Sequence, residues 1–290
     1  MNSVEWSLVF FTLLSQFSAG LLMSVFIFRV SLAADSPINK EKLTLWCVTT
    51  AFITMLLALV ISFLHLNAPL SSVYAMSNLR ESWLSREILM ASLFALLLFL
   101  QLAVSGFKLF SPRIQNVLMA LGVIAGLYYI YSMGRLYMIP TVPAWNNPGT
   151  MMAFYATVFL TGPAGFLAVY AELIRKNDIR KRPPVFMMTF GGMIFAGMLL
   201  AAAAAIFSSP DPIALTNIGF EAQSSFRFLI AARWLLLVIG VAAIIGSFGS
   251  LQKPQATLAT SKYFWGFVLL LVSEILARVD FYTSYFRIGL

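Results

Sequence analysis

Runs of about twenty apolar residues, separated by short polar stretches, recur from one end of this 290-residue chain to the other. A hydrocarbon core about 30 Å thick needs roughly 20 such residues per helix. The pattern predicts eight helices, at about 6–29, 44–66, 87–107, 115–138, 150–173, 186–208, 227–249 and 262–283. None of the connections is long enough to hold a soluble domain. Residues 1–290 therefore read as one integral membrane domain: all-α, a polytopic bundle of eight transmembrane helices. The first run does not read as a signal peptide, because "MNSVEWSLVF" has no basic n-region and the apolar run exceeds a typical signal h-region.

Composition sharpens this picture. The chain is 60% hydrophobic and only 10% charged, with a mean hydropathy of +0.88, so it has too little polar surface for water to solvate a globule of its size. Lys and Arg set the orientation. The odd-numbered loops hold Arg29, Lys40, Lys42, Lys108, Arg113, Arg175, Lys176, Arg180, Lys181, Arg182, Lys253 and Lys262, which is 12 of the 19 basic residues. Those loops are expected in the cytoplasm and both termini outside. In a bacterium, this places His65, Glu87, Arg135, Trp145 and the terminal "DFYTSYFRIGL" at the periplasmic face of the inner membrane. The net charge of +8 needs no nucleic acid to explain it, since "RKNDIRKRPP" lies where positive-inside charge belongs.

Several chemistries are excluded. A haem held between two axial histidines cannot be built from one His, and lone Cys47 supplies neither an iron–sulfur cluster nor a disulfide within the chain. Cys47 reads as a small apolar residue near the start of the second helix. There is no Walker loop, no dinucleotide-binding glycine fingerprint and no HExxH. The polar residues in or near the apolar runs remain as the functional candidates.

A helix over 44–66 is roughly 34 Å long, so His65 falls at its outer end, and one loop returns the chain to Glu87 at the outer start of the next helix. Each has a plain structural reading: His65 as an interfacial side chain with its polar tip in headgroup water, Glu87 as a helix-start residue after the cap-like Ser85. Tyr128, Ser132 and Arg135 recur at i, i+4 and i+7 on one face of the fourth helix, where helix packing and a snorkelling Arg135 also account for them. Pro143 and Trp145 follow at the interface. Arg233 and Glu274 lie about 10 Å inside the seventh and eighth helices, and the antiparallel packing of neighbours predicts an ion pair between them, with Arg278 at i+4 from Glu274 as the rival partner.

The segments "HLNAPLSSVYAMSNLRESWLSREI", "YMIPTVPAWNNPGTMMAFYATVFLTGP" and "RVDFYTSYFRIGL" resemble the membrane anchor subunit of bacterial dimethyl sulfoxide reductases, within the wider family of haem-free quinol-reactive anchors. The opening "EWSLVFFTLLSQFSAG" is similar to the same family's first helix, and the resemblance spans the chain. "SWLSREI" and "TVPAW" are its distinctive strings. The resemblance implies a periplasmic molybdopterin catalytic subunit and a ferredoxin-like iron–sulfur subunit as partners. It also implies a menaquinol that is oxidised in the anchor, so that electrons pass to the clusters. It associates the positions of His65 and Glu87 with the quinol site. The family pattern carries Gly and then Arg after the His, where this chain has Asn67 and Ser71.

The chemistry suits those residue types. Quinol oxidation releases two protons with its two electrons, so an acceptor must lie within hydrogen-bond reach of the quinol hydroxyl. Imidazole titrates near neutral pH and a neighbouring carboxylate can pass the proton to water, which makes His65 the first acceptor and Glu87 the relay. Arg135 is a further candidate at the quinol. Two other functions fit a bundle with few buried charges: a secondary transporter using an ionisable pair, and a purely structural anchor. Against a transporter, the charges gather at one face and no repeated pattern of broken helices is visible.

Overall fold

The computed structural model describes residues 5–32, 39–63, 78–177, 184–208, 220–248 and 256–284. These form eight helices: α1 (Trp6–Ile27), α2 (Lys40–Phe63), α3 (Trp83–Gly106), α4 (Pro112–Tyr137), α5 (Pro148–Asn177), α6 (Pro184–Phe207), α7 (Phe220–Ser247) and α8 (Ala256–Thr283). A short π-helical segment, Phe28–Leu32, continues α1. Seven are long and apolar enough to cross a membrane; α8, which carries Lys262, Glu274, Arg278 and Asp280, falls outside that group.

Most helices begin earlier than hydropathy places them, because polar caps and prolines set a helix start. Asn39 accepts from the backbone N–H of Lys42 through Oδ1 at 3.0 Å, so α2 starts at Lys40. The Ser82 side chain accepts from the N–H of Ser85 and starts α3 at Trp83. Ser82 is thus the cap in place of Ser85. Glu87 moves from the helix tip to the second turn. Pro112, Pro148 and Pro184 open α4, α5 and α6.

α1 is the axis of the bundle. It packs against α2, α4, α5 and α8, and 83% of its most apolar window is buried, against 28–67% in the other apolar helices. α5 is the second inner helix, touching α1, α2, α4, α6 and α8, while α7 packs chiefly on α8. The two inner helices meet where Gly20 lies against Gly162, so closely that a Cβ on either would enter the backbone of the other. Small residues of this kind let membrane helices approach to van der Waals contact. Pro163 follows inside α5, where its ring and missing N–H disrupt the helical hydrogen-bond ladder.

Each end of the bundle has its own fastening. At the end away from the termini, buried Arg29 donates from Nε to Asn116 Oδ1 (3.0 Å), from one terminal nitrogen to Thr44 Oγ1 (3.1 Å) and from the other to Gln115 Oε1 (3.3 Å), joining α1, α2 and α4. Gln115 Nε2 in turn donates to the carbonyls of Leu109 and Phe110, in a turn where Lys108 and Phe110 take positive φ. At the end where α1 begins and α8 finishes, Tyr137, Trp145, Phe154, Phe281 and Tyr282 form one aromatic cluster. The Trp145 indole stacks on Phe281 at 5.1 Å and donates from Nε1 to the Phe281 carbonyl at 2.8 Å.

A candidate functional site where α1 begins and α8 ends

Glu87 is 5% exposed, one turn below the Ser82 cap. Its Oε1 is buried with no hydrogen-bond partner, and no cation lies within ion-pair distance among the described residues. The side chains of Tyr129 and Tyr137 on α4 and of Tyr282 on α8 are within its electrostatic reach. A buried carboxyl with tyrosine hydroxyls in electrostatic reach has the elements of a proton exchange site. His65 lies outside the described residues.

Arg135 is half-buried near the end of α4, with its guanidinium 5.1 Å from the centre of the Trp83 ring. Arg86 covers the same indole at 4.3 Å and donates to the carbonyls of Leu79 and Arg80. Trp83 is therefore held against two cations at the rim, above Glu87. Nε of Arg135 is buried without a partner among the described residues.

The face of α4 turns one residue from the expected one. Tyr128 is exposed, whereas Tyr129 is fully buried and its hydroxyl pairs with Ser15 Oγ at 3.0 Å. Ser132 is buried, but its hydroxyl donates back to the Tyr128 and Tyr129 carbonyls, which occupies its one proton locally. Tyr137, the last residue of α4, shares a hydrogen bond with Tyr282 between their hydroxyls at 2.9 Å. The Tyr282 oxygen also lies 3.5 Å from Thr12 Oγ1 and from the Leu8 carbonyl.

Beneath this pair lies a second polar centre, and it corrects the expected ion pair between Arg233 and Glu274. Arg278, 2% exposed, donates from one terminal nitrogen to Gln16 Oε1 (2.8 Å), Thr157 Oγ1 (3.0 Å) and the Ala153 carbonyl (3.3 Å), and stands over the Phe154 ring at 4.1 Å. Thr157 in turn donates to Glu274 Oε2. The rival Arg278 is thus the residue that Glu274 meets, through a threonine hydroxyl. Arg233 lies outside ion-pair distance of Glu274, and its carbonyl accepts from Ser273. The side chain of Arg233 stands near Trp234 and within electrostatic reach of Asp280. The reason is register: Glu274 and Arg278 share one face of α8 and point at α1 and α5, whereas Arg233 reaches α8 further along, towards Asp280.

Sequence reasoning missed Gln16, Thr157, Tyr129, Tyr137 and Tyr282. Gln16 and Thr157 carried a signal: a glutamine and a threonine interrupt long apolar runs near the middle of helices. Among the described residues, no group of three His, Cys, Asp or Glu side chains could hold a metal ion.

A family model described as the DMSO reductase anchor subunit (DmsC) matches residues 1–284. Among curated proteins, a subunit of the anaerobic dimethyl sulfoxide reductase of Escherichia coli K12 is 24% identical, over 99% of the present sequence and 96% of that protein. A second anaerobic dimethyl sulfoxide reductase subunit of the same organism, YnfH, is 27% identical with the same coverage. A third similarity, 26% identity to an anaerobic dimethyl sulfoxide reductase subunit of Haemophilus influenzae, covers 70% of the present sequence and 69% of that protein. No solved structure matches.

Proposed function

The chain belongs to the DMSO reductase anchor subunit family, and from that premise we propose that it binds and oxidises menaquinol at its outer face. In this reading, electrons pass to an iron–sulfur partner subunit docked there, and from it to a molybdopterin subunit that reduces dimethyl sulfoxide or a similar acceptor. The single observation that carries the quinol site is Glu87: a buried carboxyl with an unpartnered oxygen and no counter-ion in ion-pair reach among the described residues, with three tyrosines in electrostatic reach. An ionisable group at that depth is costly in a chain that only has to span lipid.

The roles follow from the chemistry. His65 takes the first proton from the quinol hydroxyl, since imidazole alone in this chain has a near-neutral reference value. Glu87 carries the proton onward, and Arg135 on the Trp83 ring lies at the rim of the same site. The charge asymmetry supports both termini on the periplasmic side of a bacterial inner membrane. No haem or cluster in this chain is needed: it handles quinol and protons, and the partner takes the electrons.

The test separates two electron donors. His65→Ala should assemble with its partners yet lose most menaquinol-dependent turnover, on the order of a hundred-fold, while reduced viologen, which donates to the iron–sulfur partner directly, still drives reduction. Glu87→Gln should show a milder version of the same split. Parental menaquinol oxidation by His65→Ala would leave the chain a purely structural anchor, and loss of both activities would make His65 a docking residue.

A further inference from the structure

The centre below the tyrosines is not needed to hold quinol, and its composition is unusual for a structural fastening. Arg278 and Glu274 are both 2% exposed and sit at i and i+4, yet Thr157 stands between them in place of a direct ion pair. Glu274 Oε1 and Arg278 Nε are buried with no hydrogen-bond partner among the described residues. A carboxylate held by one hydroxyl, with its second oxygen unpartnered, can accept a proton there without breaking any bond it already makes.

The position is as telling as the composition. Tyr137 and Tyr282, hydrogen-bonded to each other, are within electrostatic reach of both Glu87 and Arg278. Tyr282 follows Arg278 by one turn of α8, and its side chain is within electrostatic reach of the guanidinium. Around Glu274 and Arg278 the facing groups are Gln16 on α1, Tyr137 on α4, Thr157 on α5, Arg233 on α7 and Tyr282 on α8. Arg233 is within electrostatic reach of both Asp280 and Arg278, and Arg278 is the cation that Thr157 joins to Glu274.

We propose that Glu274, held through Thr157 against Arg278, is a second proton-holding group of the quinol reaction, reached from Glu87 across the paired hydroxyls of Tyr137 and Tyr282. This rests on the quinol-oxidation reading above. One quinol gives one quinone, two electrons and two protons. The electrons leave through the iron–sulfur partner. One proton leaves by His65 and Glu87, and the other adds to the Glu274 carboxylate, converting it to the acid. Each tyrosine oxygen accepts a proton as its own passes on, so neither changes charge. Neutral Glu274 leaves the buried Arg278 uncompensated, which makes the stored proton return by the same hydroxyls before the next turnover.

The experiment is an infrared difference spectrum of the detergent-solubilised complex, recorded on adding a menaquinol analogue, for the parental chain and for Glu274→Gln. A carboxylic-acid carbonyl band should rise in the parental complex and be missing in Glu274→Gln. Quinol-dependent turnover of that variant should fall, by less than the ~100-fold of a direct acid–base group. An unchanged band in Glu274→Gln overturns the proposal. Should that variant not assemble, Tyr282→Phe decides: it keeps the carboxylate but removes the paired hydroxyl, so the band should be lost, and a parental band refutes the route. A parental complex that fails to oxidise the analogue while viologen drives reduction sinks the quinol reading itself.

Discussion

Replacing Arg278 by leucine removes more than a charge. Three hydrogen bonds go with it, to Gln16, Thr157 and the Ala153 carbonyl, as does the contact over Phe154. Glu274 keeps only its bond from Thr157 and becomes a buried carboxylate with no counter-charge. Removing one partner of a buried charged pair costs about 3–5 kcal/mol, chiefly because the other charge stays behind. A loss near 4 kcal/mol corresponds to roughly a thousand-fold in the folded-to-unfolded ratio. The double variant Arg278→Leu, Glu274→Leu removes the orphaned charge as well, and replacement of a whole pair by apolar side chains is often close to neutral. It should recover to within about 1 kcal/mol of the parent. The measurement is reversible denaturation in mixed detergent micelles, followed by tryptophan fluorescence and helical circular dichroism. Arg278→Leu within about 0.5 kcal/mol of the parent would show that the cluster carries no buried charge, and a double variant as unstable as the single one would show that Glu274 is not the group left stranded.

Two further outcomes follow from the fold. Gly162→Val should separate α1 from α5 and cost about 1–3 kcal/mol or block assembly, whereas Gly192→Ala, whose Cβ would meet nothing within 4 Å, should be neutral in the same denaturation assay. Reporter fusions at Leu290 and in the loop around Arg180 should report opposite compartments, with Leu290 outside; a cytoplasmic signal from Leu290 would invert the placement of the quinol site.

The helices were legible because seven of the eight carry a membrane-length apolar stretch, and those runs are contiguous in sequence. Their starts were not, because a helix begins at its cap, and Asn39 and Ser82 lie in polar sequence before the apolar run. Glu87 was legible as a candidate but not as a buried one, since its depth depends on where α3 begins. On α4 the expected face was off by one residue: Tyr128 and Tyr129 are equally aromatic, and packing against Ser15 of α1 and Phe94 of α3 selects the second. The Arg278–Thr157–Gln16 centre was out of reach for a different reason. It joins residues 262 positions apart, on helices whose adjacency follows from the Gly20–Gly162 crossing and not from chain order.

That crossing also has a consequence for how the protein is made. α1 is made before α5 and α8, yet its Gln16 finds the Arg278 guanidinium only when α8 arrives, and Gly20 finds its seat only when α5 does. Until then the first helix presents to lipid a stripe of Ser15, Gln16 and Gly20 meant for protein, including polar groups that hydrocarbon cannot satisfy. A nascent chain stalled before α8 therefore displays its own incompleteness at a fixed place in the membrane. That unsatisfied stripe is the feature by which an insertase could retain the chain, or a membrane protease single out a truncated product.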